Sequence, residues 1–72
     1  MSETKTIEVV VNGERENLPA GLTVDRMLAH LEINSSRVAV ELDSAIVRKS
    51  DWPSIEVRDG ARLEVVWFVG GG

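Results

Sequence analysis

The 72-residue chain contains no cysteine. That absence excludes disulfide staples, zinc–thiolate sites and thiol nucleophiles from its own side chains, and it fits a reducing compartment. Imidazole is almost as scarce, with His30 the single histidine. No His, Cys or acidic group stands at metal-ligand spacing, and no glycine-rich phosphate loop is followed by a lysine. No apolar run approaches the roughly 18–20 residues of a membrane-spanning helix, and no signal-peptide pattern opens the chain. The expectation is a soluble, cytoplasmic protein with no membrane attachment. At this length one small domain is expected, whose core supplies only a few kcal/mol of net stability.

Basic residues are outnumbered. Eight Lys and Arg stand against twelve Asp and Glu, a formal charge of −4. A nucleic-acid binder needs a basic patch, so the balance argues against one. It suits a partner with a positive surface, and it equally suits plain solubility. Charge alone leaves both open.

What is present is alternation. In "KTIEVVV" (5–11), Ile7, Val9 and Val11 share one face of a strand. Asn12-Gly13 follows, a pair that tolerates the positive φ of a tight hairpin turn, so Glu14–Leu18 should pair back. Pro19 and Gly21 break the strand, and Thr23 stands at a helix N-cap position. Val24, Met27, Leu28 and Leu31 form one helical stripe, Asp25 sits in the first turn, and the helix should end near Glu32 before Asn34-Ser35-Ser36. Val38, Val40 and Leu42 alternate as a strand, Asp43-Ser44 turns, and Ala45–Val47 returns. "RKSDWPS" (48–54) reads as irregular, with the ring of Trp52 on the core. Asp59-Gly60 is a turn, and Ala61–Val69 is the longest strand, placing Leu63, Val65, Trp67 and Val69 on one face. The order implies an α+β fold, one sheet with a helix across one face.

Catalysis by this chain would need a partner for His30, such as Asp25 or Glu32, and a pocket around them. His30 falls beside the apolar stripe, which makes it a border or surface residue. The last strand is more informative. Val66 and Phe68 should face away from the helix, beside the terminal glycines, and two adjacent exposed apolar residues suggest a docking patch. The bland alternative is that a loop covers them. Gly70, Gly71 and Gly72 can be a frayed end, or a thread reaching about 10 Å beyond the fold. Lacking Cβ atoms, such a thread fits a narrow tunnel. A docking patch supplies binding while the thread delivers one carboxylate, which a partner must activate, for example as an acyl-adenylate made from ATP.

The hairpin "VNGE", then "GLTVDRMLAHL", "RVAVELDSAIVRKSDW" and "VRDGARLEVVWFVGGG" carry a resemblance over nearly the whole chain. The sequence resembles the ThiS sulfur carriers of thiamine biosynthesis, small ubiquitin-like proteins. The resemblance implies a β-grasp domain over 1–69, with a mixed four- to five-stranded sheet and one helix, and a flexible glycine tail over 70–72. It implies a carrier rather than an enzyme, binding no cofactor. A ThiF-type enzyme would use ATP to adenylate Gly72. A sulfur donor would convert it to a thiocarboxylate, and a ThiG-type thiazole synthase would receive the sulfur. Gly70–Gly72 would enter partner active sites, and Val66, Phe68 and Val69 would dock. A MoaD-type or other β-grasp carrier, or a ubiquitin-like modifier, would share the tail chemistry. One departure is Arg48, where ThiS chains often have proline, and a local backbone difference is expected there.

Overall fold

The computed structural model describes residues 5–68. Two strands, β1 (Thr6–Val11) and β2 (Glu14–Pro19), form the expected hairpin, and Asn12 and Gly13 both have positive φ. Helix α1 (Val24–His30) follows, then strands β3 (Val38–Leu42), β4 (Ala45–Val47) and β5 (Arg62–Trp67). The sheet order is β2-β1-β5-β3-β4. β5 pairs parallel to β1 and antiparallel to β3, so the last strand sits at the centre. This mixed five-stranded sheet around one helix is the β-grasp arrangement that the resemblance implies.

Alternation decides what is buried. Val9 and Val11 of β1, Leu18 of β2, Val38 and Val40 of β3, and Leu63 and Val65 of β5 point inward against Val24, Met27 and Leu28 of the helix. Full burial of one such side chain contributes roughly 1.5–3 kcal/mol. Among the described residues, no polar or charged side chain is buried.

The helix is shorter than its stripe suggests. It closes after His30 because the Ile33 N–H donates to Leu28 O and the Glu32 N–H to Ala29 O, a Schellman closure. Glu32 occupies the left-handed position at φ 62, where glycine or asparagine is usual. Its side chain carries no sign of that role, so the sequence overestimates the helix by two residues. Leu31 remains half-buried against the core. At the other end, Thr23 holds the N-cap position without a side-chain cap bond. Its hydroxyl donates instead to Asp25, holding that carboxyl below the usual range. The Val24 N–H finds Ile55 O at 2.9 Å, and the Val57 N–H finds Leu22 O, so the 55–57 segment secures the helix start.

Two short 3₁₀ helices replace the segments expected to be turn or irregular, Ser35–Arg37 and Lys49–Ser54. Asn34 caps the first through its side-chain oxygen. In the second, Trp52 is buried as expected, and its indole N–H donates to Val47 O at 3.1 Å. Arg48 has φ −65, the value a proline ring would impose. A proline would therefore fit the φ that the arginine adopts at that residue.

Candidate functional site

Chemistry within the fold is sparse. His30 lies exposed in the last turn of the helix. Among the described residues, no group of three potential metal ligands comes together. No helix there is long and apolar enough to cross a membrane. An open cleft of about 260 Å³ lies beside Leu42, Glu56, Arg58 and Ala61, with Asp43 and Asp59 on its rim. Both aspartates are already engaged in closing the sheet: Asp43 accepts from the Arg62 N–H and Asp59 from the Glu8 N–H, each at 2.9 Å.

The end of β5 is different. Val66 lies opposite Ala39 on the outer face, and it is 52% exposed, as the alternation requires. Phe68, on the same face, is 61% exposed, and its N–H donates to Arg37 O at 2.9 Å. No loop of the described residues covers either one, so both are exposed, as the alternation predicted. The third expected docking residue, Val69, and the thread Gly70–Gly72 lie outside the described residues.

Trp67 was expected on the helix-facing side. Its pairing with the buried Val38 does place it on that side, yet it is 48% exposed. The cover ends before this point: Val65 is buried and Trp67 is not. The strand tip therefore presents apolar surface on both faces, Val66 and Phe68 on one and Trp67 on the other. Period-2 alternation assigns a face but not the length of the cover above it, so the sequence reading missed Trp67 as surface.

Toward the base of the patch, Glu41 and Glu64 stand directly opposite each other across the β3–β5 ladder. Two carboxylates so placed repel, and the repulsion is relieved when a cation approaches.

A family model described as the ThiS family matches residues 4–72. The chain is 44% identical over 66 residues to a thiazole synthase of Paramagnetospirillum magneticum, covering 92% of this chain and 20% of that protein. A second thiazole synthase, from Magnetococcus marinus, is 33% identical with the same coverage, so the chain spans 20% of the length of these two relatives. It is 36% identical to an uncharacterised protein, ycf40, of Pyropia yezoensis, over 92% of this chain and 93% of that one. Among solved structures, a thiamine biosynthesis protein (ThiS) from Geobacter metallireducens superimposes with a TM-score of 0.80 at 28% identity, covering 92% of this chain and all of that one.

Proposed function

The chain belongs to the ThiS family, and from that premise we propose that it is a sulfur carrier of thiamine biosynthesis, working through the carboxylate of Gly72. The observation that carries the reading is the strand tip. Three exposed apolar residues, Val66, Trp67 and Phe68, immediately precede the segment that ends in three glycines. Binding and delivery are thus assigned to neighbouring but separate stretches of the sequence.

A carboxylate is a poor electrophile, so activation falls to a partner. A carboxylate oxygen of Gly72 attacks the α-phosphorus of ATP on a ThiF-type enzyme, pyrophosphate leaves, and an acyl-adenylate forms. A sulfide-level nucleophile, hydrosulfide released by the donor system, then displaces AMP and loses its proton, leaving a thiocarboxylate. A ThiG-type thiazole synthase accepts that sulfur. The similarity of the chain to part of two thiazole synthases supports this last partner. The chain itself acts as co-substrate, and the ATP is bound by the partner.

The decisive experiment is the intact mass after incubation with ATP, a ThiF-type enzyme and a sulfur source. The expected gain equals sulfur replacing oxygen, localised to Gly72. An unchanged mass with several such enzymes would overturn the carrier reading. A mass gain without sulfur transfer to thiazole synthase would redirect the carrier to another pathway.

Docking is tested separately by Phe68→Asp. The expected result is weaker binding to the activating enzyme, with folding stability changed by no more than about 0.5 kcal/mol, as for exposed positions generally. Titration calorimetry and thermal melting measure the two quantities. Collapse of the fold would show that Phe68 belongs to the core.

A further inference from the structure

Strand β1 turns away from its neighbour before β5 ends. Its last backbone contact is the Asn12 N–H donating to Leu63 O at 2.9 Å, after which the chain enters the hairpin turn. Val65 would then face open space on that side. Instead the Asn12 side chain takes over. Its Oδ1 accepts from the Val65 N–H at 2.7 Å, and its Nδ2 donates to Val65 O at 3.2 Å. A carboxamide presents an N–H donor and a carbonyl acceptor side by side, so it meets both backbone groups of Val65 and stands in for one more residue of β1. Aspartate could not donate, and alanine could do neither.

We propose that Asn12 is a positioning residue for activation of the tail. It extends the support of β5 on the β1 side to Val65, while β3 and the Arg37 carbonyl hold the other side through Phe68, so the strand tip from which the tail sets out is braced from both sides as far as Val65. This role rests on the carrier reading above. The position also requires positive φ, 52°, which asparagine tolerates. Two demands therefore meet in one residue, a turn conformation and a bridge to a strand 53 positions away.

Asn12→Gly separates them, because glycine keeps the turn and removes the bridge. Hydrogen exchange in the full-length variant should rise about tenfold at the Val65 amide. The Val10 amide, which donates to Ala61 O, should stay as protected as before. With a ThiF-type enzyme, kcat for adenylation should fall about tenfold while KM holds within about twofold, the pattern of a docked but misaimed reactant. Ile7→Val, a truncation elsewhere in the same hairpin, should leave kcat unchanged and so controls for loss of stability.

Unchanged exchange at Val65 would overturn the bridge. Faster exchange with an unchanged kcat would overturn the aiming role and leave Asn12 structural. A fall in kcat matched by Ile7→Val would do the same. A wild-type chain that no such enzyme adenylates would fail the carrier reading itself, and the aiming role with it. That failure is distinguishable, because it appears before any variant is made.

Discussion

A chain carrying Gly71→Val should fold and dock as the wild type does, yet be adenylated at least about a hundredfold more slowly, since a displacement of one ångström at a reacting centre can cost that much. The buried core residues described all lie between Val9 and Val65, well before the substitution. Its effect should therefore fall on passage through the partner's active site. A β-branched side chain restricts the backbone conformations open to the thread and widens its cross-section at the second-last residue. Removing Gly71 and Gly72 together should abolish charging altogether. Intact mass, followed over time with ATP and the activating enzyme, measures both variants. Charging of Gly71→Val at the wild-type rate would show that the active site does not grip the thread. Sulfur on the truncated chain would show that the carboxylate of Gly72 is not the working group.

The largest effect on folding is expected at Leu63. It is fully buried on the central strand, between Val11 of β1 and Leu42 of β3. Truncation to alanine in such a place costs about 2–5 kcal/mol. A domain of this length holds only about 4–11 kcal/mol in all, at 0.05–0.15 kcal/mol per residue. Leu63→Ala should lower Tm by about 8–40 °C, at 4–8 °C per kcal/mol, and the lower end of the stability range would leave much of it unfolded. Val66→Ala, three positions along the same strand and on the outer face, should shift Tm by less than about 4 °C. Thermal melting of the two variants side by side checks the assignment of faces. Equal shifts would mean that the outer face is covered after all.

The parts of this fold that were legible in the sequence are those that local chemistry decides. Asn12-Gly13, Asp43-Ser44 and Asp59-Gly60 each became a turn with residues at positive φ, because few other pairs tolerate it. The inward sets of β1, β3 and β5 followed from period 2, and Val24, Met27 and Leu28 from the helical period. What escaped depends on distant partners. The parallel pairing of β1 with β5 joins segments more than fifty residues apart, and nothing in either strand announces the other, so the mixed sheet was legible only through the family resemblance. Asn12 was legible as a turn residue and illegible as a bridge to Val65. Trp67 had the correct face but not the correct exposure, since alternation does not say how far along a strand the cover extends. The end of α1 escaped as well, because Glu32 accepts a left-handed conformation that its side chain does not advertise. The exposure of Val66 and Phe68 was legible because they oppose the inward set on a strand whose pattern is unambiguous.

The central position of β5 has a mechanical consequence. A force applied along the C-terminal segment runs parallel to the strand, with β1 on one side and β3 on the other. Such a pull loads the hydrogen bonds of both ladders together, in shear, rather than opening them one at a time from an edge. Yielding is then governed by the barrier to unfolding and not by the modest equilibrium stability of a small domain. A machine that grips the glycines and draws the chain inward would meet its strongest resistance at once, before any element farther from the tail has begun to give.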